Sequence, residues 1–235
     1  MRDRGVPSTS PARASSRRSS YSIDVILFTP RGTQLAALCV RAGDPRARER
    51  WMLPNDEAAA GESLDEAARR IAREASGAEP TWIEQLGAFG DERRHPTDAL
   101  LSVAFVAVVP AAAVEGTNED RVWFGVSEPP VMPPRQRAML DGALEALRTR
   151  MDHAPIAFRL LPAMFTLSEL QQMYELLLGK RLHKASFRRA LQAAFLVEAT
   201  DEWRSEGRGR PAQFFRFSPR KRRGSRRGVR FDLLA

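Results

Sequence analysis

The charged side chains between residues 62 and 77 recur at a spacing that places them on one face of a helix. Glu66, Arg70 and Glu74 are each four residues apart, and side chains at this spacing are neighbours on a helix surface. The apolar side chains recur at spacings of three and four, as in an amphipathic helix: Leu64, Ala67, Ala68, Ile71 and Ala75. Taken alone, the charged row predicts a solvated ladder of ion pairs.

Basic and hydroxyl side chains in the C-terminal third form a second group with recognisable chemistry. An arginine guanidinium can form two hydrogen bonds to a guanine edge, whereas hydroxyl and lysine side chains can reach phosphate oxygens. The candidates for contact with DNA are Thr166, Lys184, Ser186, Arg188, Arg189, Arg208 and Arg210.

The net charge of +8 is divided unevenly along the 235 residues. Residues 1–20 have a net charge of +4, residues 21–150 of −5 and residues 151–235 of +9. An acidic body joined to a basic C-terminal third predicts two domains, of which one meets a polyanion. The alternative is that arginine is simply a favoured surface residue in this protein.

The elements around the first charged group alternate between strand and helix. Strands are predicted at 21–29, 34–41, 82–89, 100–109 and 122–126, and helices at 62–76 and 134–151. Ser63 and Glu66 have the spacing of a capping box, and Gly77 can end the first helix. The alternation predicts a mixed α/β domain over residues 21–151. Residues 1–20 are rich in Ser, Arg and Pro, and we expect a disordered basic tail there.

The C-terminal elements have the order of a winged helix-turn-helix. Thr166 and Glu169 form a second capping-box pattern, and Gly179 can end the helix that follows. A second helix is predicted at 185–195 and short strands at 196–200 and 213–217. This order predicts a winged helix domain over residues 155–217, whose second helix lies in the major groove. Residues 218–235 are a basic tail that either adds sequence-independent affinity for DNA or is merely solvated.

The segment from Trp51 to Gly77 resembles a Nudix box. Trp51-Met52-Leu53-Pro54 leads into the glutamate and the helix. The family pattern is G-x5-E-x7-R-E-U-x-E-E-x-G-U, in which U is a bulky aliphatic residue. When Gly77 is set on the last glycine of this pattern, three residues fall on its charged positions: Glu62, Arg70 and Glu74.

Three positions of this segment depart from the family pattern. Asp56 replaces the opening glycine, and Ile71 and Ala75 replace two glutamates. In the family, the glutamates at the positions of Ile71, Glu74 and Ala75 share one helix face and hold Mg²⁺ against a pyrophosphate. Since Ile71 and Ala75 have no side-chain oxygen, we expect neither a full metal site nor catalytic residues, although two carboxylates could hold a metal weakly. The sequence therefore predicts a protein that is not an enzyme.

The chain as a whole resembles the Nudix-related transcriptional regulators of the NrtR family. The resemblance covers roughly residues 21–217, and its most specific segments are 82–90, 94–96, 165–171, 187–189 and 209–212. It implies a Nudix-like α/β/α sandwich followed by a C-terminal winged helix-turn-helix domain. It also implies a repressor of NAD-metabolism genes that binds operator DNA as a homodimer.

The same resemblance implies a site for ADP-ribose or a related nucleotide, whose binding releases DNA in the commonest pattern of the family. Arg41, Arg70, Glu74 and Arg94 would form this site, because guanidinium groups match phosphate oxygens. Each arginine could instead be a surface or structural ion-pair residue. The family segment Arg-Asp-Pro-Arg is Arg-His-Pro-Thr here, which leaves the effector open, and we expect His95 to be a solvated loop residue.

Two other functions are compatible with these residues: an active Nudix hydrolase of ADP-ribose or another nucleoside diphosphate derivative, and an RNA-binding protein.

The apolar stretch 99–114 is interrupted by Ser102 and Pro110, and is shorter than the roughly 18 clean residues that a membrane span needs. One cysteine, Cys39, excludes an intramolecular disulfide. With no apolar segment after Met1, we expect a cytoplasmic protein with no membrane partner. We also expect no cofactor.

Overall fold

The strand β1 (Tyr21–Arg31) lies at the centre of the N-terminal sheet. The structure is a computed structural model that describes residues 20–43, 49–90, 95–111, 118–151, 154–205 and 211–218. Residues 22–30 of β1 are all buried. Continuous burial of a run rich in Ile, Val and Phe is typical of a strand that is covered on both faces.

A mixed sheet of seven strands surrounds β1. The antiparallel neighbour β2 (Gln34–Arg41) follows a turn at Gly32, whose positive φ of 59° suits glycine. The parallel neighbour β6 (Leu101–Val108) pairs in turn with β5 (Trp82–Phe89). Three short strands complete the sheet: β3 (Trp51–Met52) and β7 (Arg121–Gly125) pair with β2, and β4 (Asn55–Asp56) pairs with β1.

Two helices cover the two faces of this sheet. The helix α1 (Leu64–Ser76) packs on the face of Ile23, Val25 and Leu27. The helix α2 (Pro134–Arg150) packs on the opposite face, which contains Ile26 and Phe28. Alternate residues of β1 therefore serve two cores, and the predicted α/β/α sandwich is confirmed.

The C-terminal part has the topology of a winged helix. Its elements are α3 (Ile156–Arg159), β8 (Met164–Thr166), α4 (Leu167–Leu178), α5 (Lys184–Ala194), β9 (Val197–Arg204) and β10 (Ala212–Phe217). The three strands form a sheet in the order β8-β10-β9. The predicted helix-turn-helix and hairpin are confirmed, whereas α3 and β8 were not predicted. None of the helices in the described segments has the length and apolar character of a membrane span.

The two parts share one hydrophobic core. The core on the α2 face continues into the winged helix, where Phe158, Tyr174 and Phe187 form successive ring contacts with centroid distances of 6.2 and 5.5 Å. Beside it, a Cβ atom at Gly179 would lie 3.2 Å from Nη2 of Arg148. The C-terminal end of α2 therefore lies directly against the end of α4.

Candidate functional site

Arg70 joins the helix α1 to the segment that precedes it. Its Nε and Nη2 donate to the two carboxylate oxygens of Glu62 at 3.0 and 3.1 Å, and its Nη1 donates to Asp56 at 2.8 Å. The hydrogen bond from Arg70 and one from the Ala59 amide lower the pKa of Glu62 below its ordinary value, and the two carboxylates raise the pKa of Arg70. With a further bond from Nη2 to the Glu57 carbonyl at 2.8 Å, Arg70 makes four hydrogen bonds to protein acceptors, and its contact with an effector stays a prediction.

The side chains of the Nudix segment do not fit a Mg²⁺ ion. Ile71 is an apolar side chain with 4% exposure, and Ala75 beside it has no oxygen ligand to offer. Both oxygens of Glu62 are bonded to Arg70, so Glu74 is left as the solvent-facing carboxylate on this face, with 62% exposure. Mg²⁺ needs near-octahedral oxygen coordination. In the described segments, no three His, Cys, Asp or Glu side chains are grouped to hold a metal ion.

A pocket of about 310 Å³ opens beside the C-terminal half of α1. It brings together Arg41 and Glu74, two of the predicted effector residues, and it does not include Arg70. The remaining lining residues come from β2, the segment 54–56, α1 and the start of β7: Val40, Pro54, Asn55, Asp56, Ile71, Ala75, Asp120 and Arg121. The two positions that lost glutamates, Ile71 and Ala75, therefore form an apolar part of a pocket between two arginines.

Both arginines of this pocket are oriented by protein acceptors. Arg41 donates from Nε to Asp120 at 2.9 Å and from Nη2 to the Glu119 carbonyl at 2.9 Å, and its guanidinium lies 5.4 Å from the ring centre of Trp51. Arg121 donates to the Glu74 carbonyl at 2.6 Å, which places a cation at the negative end of α1. An arginine has five N–H donors, so Arg41, at 46% exposure, retains donors for an anionic ligand.

Arg121 was not among the predicted effector residues. The sequence signal for β7 was weak, and only the pairing of Val40 with Arg121 places this side chain in the pocket. Arg94 lies outside the described residues, so its predicted role stays a prediction.

The helix α5 presents a basic surface. Lys184, Arg188 and Arg189 are exposed, whereas Phe187 and Leu191 are fully buried, as predicted for core residues. Within α5, which the structure describes in full, the first turn contains no acidic residue. Over the described part of the chain, none of the three cations forms an ion pair. Their charge is therefore available to a polyanion.

Two further candidates surround the start of α5. Ser186 is half-buried, and its hydroxyl lies 3.2 Å from Nδ1 of His183, an exposed residue at the start of the helix. Sequence reasoning did not identify His183. Arg208 and Arg210, the predicted contacts of the hairpin tip, lie outside the described residues.

The structure gives Thr166 a capping role, and its contact with DNA stays a prediction. The residue is 6% exposed and is the N-cap of α4. Its hydroxyl donates to Glu169 at 3.0 Å and accepts from the Glu169 amide at 3.2 Å, and Arg204 donates to the other oxygen of Glu169 at 2.6 Å. The Thr166 hydroxyl is therefore buried and bonded to Glu169 both as donor and as acceptor.

His95 is buried, whereas we expected it to be a solvated loop residue. It is 1% exposed, and its Nε2 lies 2.9 Å from Oδ1 of the buried Asp24. The Thr97 amide donates to its Nδ1 at 3.2 Å, so in the neutral ring Nε2 holds the proton that is donated to Asp24. His95 therefore fixes the segment after residue 94 onto β1.

These two halves define a class of proteins in which a Nudix fold is joined to a winged helix. The model of the NUDIX domain matches residues 19–143, and the model of the NrtR DNA-binding winged helix domain matches residues 157–217. The chain belongs to the Nudix family, and its C-terminal part is similar to the winged helix domain of NrtR.

Several known proteins are similar over most of the chain. An ADPR responsive transcriptional repressor from Acinetobacter baylyi is 26% identical over 204 residues, which cover 84% of this chain and 81% of that protein. The crystal structure of Shewanella oneidensis NrtR complexed with a 27mer DNA has a TM-score of 0.73 at 28% identity, covering 86% of this chain and 94% of that one. A MutT/nudix family protein from Enterococcus faecalis matches with a TM-score of 0.69 at 17% identity, covering 88% and 91%, and supports the fold alone.

Proposed function

We propose that this protein is a transcriptional repressor that binds operator DNA through its winged helix and releases it when ADP-ribose or a related nucleotide binds. The observation that supports this most strongly is the basic face of α5, where Lys184, Arg188 and Arg189 are exposed without ion-pair partners among the described residues. The similar protein from Acinetobacter baylyi is a repressor that responds to ADPR, and the similar Shewanella oneidensis protein was crystallised with DNA.

In this proposal, α5 lies in the major groove with its first two turns against the bases. Arg188 and Arg189 form hydrogen bonds to guanine edges, and Lys184 and Ser186 contact phosphates. The N-terminal end of the helix adds a partial positive charge at the same place. Arg208 and Arg210 contact the backbone or the minor groove beside it.

The nucleotide binds in the pocket between Arg41 and Arg121. Its diphosphate is held by the remaining donors of Arg41, since a guanidinium matches phosphate oxygens. The apolar part at Ile71 and Ala75 takes the place of the family's metal ligands. This arrangement binds a nucleotide without cleaving it, because neither charge neutralisation by Mg²⁺ nor activation of a water has the carboxylates it requires.

The target genes in this proposal are those of NAD metabolism, as the resemblance to the NrtR regulators implies. In this proposal the repressor acts as a cytoplasmic homodimer on paired half-sites.

The test compares three labelled nucleic acids of equal length: a duplex from the region upstream of the protein's own gene cluster, a duplex of scrambled sequence and an RNA of the upstream sequence. Fluorescence anisotropy at physiological salt is expected to show at least about 10³-fold tighter binding of the first duplex, as for specific regulators. Equal affinity for the scrambled duplex, or preference for the RNA, would contradict the repressor function.

A further inference from the structure

We infer that Gln136 couples the nucleotide pocket to the winged helix by fixing the first turn of α2 to the pocket wall. The inference rests on the proposed function, since it describes how binding in the pocket changes the affinity for DNA. The group of residues involved, named here the Asp24 junction, consists of Asp24, His95, Gln136 and the backbone of Leu53.

The Gln136 side chain connects α2 to the segment that forms one wall of the pocket. It is fully buried, and its Oε1 accepts from the Leu53 amide at 2.9 Å. Its Nε2 donates to Oδ1 of Asp24 at 2.7 Å and lies 3.4 Å from the Leu53 carbonyl. The three residues that follow Leu53 line the pocket: Pro54, Asn55 and Asp56. A displacement of this wall therefore acts directly on Gln136.

The same turn of α2 also holds the segment that begins at residue 95. His95 donates to the Asp24 oxygen that Gln136 uses, at 2.9 Å. Arg135, the residue before Gln136, donates from Nη1 to the Ala99 carbonyl at 2.7 Å. Two chain segments on the Nudix side, 53–56 and 95–99, are thus fixed to one helical turn by buried hydrogen bonds.

The other end of α2 lies in the winged helix core. Leu147 and Met151 belong to the buried cluster that contains Leu170 and Tyr174 of α4. Arg148 lies against Gly179, the C-cap of α4. At 17 residues, α2 is about 25 Å long. It therefore connects the pocket wall at Leu53 to the winged helix core as a single helix.

The Asp24 junction has unused hydrogen-bonding groups that allow a second arrangement. Oδ2 of Asp24 and the hydroxyls of Ser22 and Ser102 are buried, with no partner among the described residues. Ser22 pairs in register with Ser102, and it lies on the same strand face as Asp24. Because an unsatisfied buried polar group costs free energy, an arrangement in which these groups gain partners would offset part of the cost of breaking the Gln136 hydrogen bonds. Coupling between two sites requires such an element with two arrangements.

The test measures the operator Kd with and without saturating ADP-ribose for the wild type, Gln136→Met and the control Thr29→Val. Thr29 is also fully buried on β1 and donates to the Val109 carbonyl at 3.1 Å, away from the pocket wall. Methionine retains the volume of Gln136 without its hydrogen bonds. The Kd for ADP-ribose itself is measured by calorimetry for each protein.

We expect ADP-ribose to weaken operator binding about fivefold or more in the wild type and in Thr29→Val. In Gln136→Met the effect falls below about twofold, while nucleotide and operator each still bind. A Gln136→Met protein that retains the wild-type ratio would overturn the inference and leave the proposed function intact. A wild type that does not respond to ADP-ribose would overturn both.

A second measurement needs no variant and applies equally if Gln136→Met does not fold. Hydrogen exchange of the wild type is compared with and without ADP-ribose. We expect the Leu53 amide and the amides of α2 and α4 to change protection together. A change confined to the segments 54–56 and 119–121, with α2 and α4 unaltered, would contradict coupling through this helix.

Discussion

Arg70 and Glu62 form a two-point ion pair at the start of α1, with Nε–Oε1 and Nη2–Oε2 distances of 3.0 and 3.1 Å. Asp56, which stands where the Nudix pattern has its first glycine, supplies a second carboxylate to the same guanidinium at 2.8 Å. The charged side chains that match the Nudix pattern, Glu62 and Arg70, therefore bond to each other. Their effect is to fix the shape of the loop before α1 and the wall of the adjacent pocket.

The first prediction concerns this loop. Arg70→Met removes the partner of Glu62, of Asp56 and of the Glu57 carbonyl together. Since three acceptors lose a charged donor, we expect the Tm of the protein to fall by about 2–4 °C or more. The control Arg69→Met removes a neighbouring arginine at 46% exposure and is expected to leave the Tm within about 1 °C. Equal shifts in calorimetry would show that the Arg70 pairs contribute no stability.

The second prediction concerns the pocket. Arg41→Met removes a guanidinium held at the pocket by Asp120, and we expect the Kd for ADP-ribose to rise about tenfold or more. Arg137→Met is a matched control, because Arg137 has a similar exposure of 48% and pairs with Asp141 on α2. Isothermal titration calorimetry measures both. An equal rise of the Kd in both variants would show that the effect comes from net charge. An unchanged Kd in Arg41→Met would show that Arg41 does not contact the nucleotide.

The third prediction concerns α5. The double variant Arg188→Ala, Arg189→Ala is expected to lose at least about 10²-fold in operator affinity, because each arginine that forks onto a base contributes about 1–3 kcal/mol. The double variant Arg69→Ala, Arg73→Ala loses the same charge from α1 and keeps its affinity. Circular dichroism confirms that both proteins fold. Unchanged affinity of the α5 variant would place the DNA elsewhere.

The fourth prediction concerns pH. Burial raises the pKa of Glu169, but hydrogen bonds from Thr166 and Arg204 outweigh it, so the pKa is lower in the folded protein than its ordinary value of 4.5. The stability from Glu169 is thus complete above pH 4.5 and is lost as the pH falls through the lower folded pKa. We expect Glu169→Gln to differ most from the wild type in urea unfolding at pH 7, and least in acid. A constant difference across the pH range would contradict this assignment.

The fifth prediction concerns the basic tail. A chain that ends after Ser218 lacks seven basic residues. We expect the slope of log K against log salt to become shallower while the preferred operator sequence stays the same, because phosphate contacts release counterions without distinguishing bases. Anisotropy titrations at several salt concentrations measure the slope. A changed sequence preference would show that the tail contacts bases.

Local patterns predicted the elements of this fold well. The 3.6-residue periodicity and the capping box at Ser63 predicted α1 correctly. The same two signals predicted that α4 begins directly after Thr166. The short strand β8 was missed because three residues are too few to show a period. The second helix was predicted at 185–195, whereas α5 ends one residue earlier, at Ala194. Phe195 ends it because its backbone is left-handed, with φ 53°.

The candidate site was harder to predict, because its contacts join distant parts of the chain. His95 and Asp24 are 71 residues apart, and Gln136 is 112 residues from Asp24. Contacts between residues so far apart in the chain leave no pattern in the local sequence. His95 was therefore expected to be a solvated loop residue. Arg121 reaches the pocket only through strand pairing. For Thr166 the sequence alone does not separate the two roles, because a capping threonine and a phosphate-binding threonine have the same position at a helix start.

In the proposed function, the Nudix domain binds a nucleotide without consuming it and transmits that binding to the winged helix. It is tested by adding ADP-ribose to the protein bound to labelled operator duplex in the presence of Mg²⁺, while anisotropy and AMP are followed in one sample. We predict that the duplex is released within mixing time and that ADP-ribose remains intact. Rapid AMP formation that is lost in Glu74→Ala, with the duplex still bound, would contradict the proposed function.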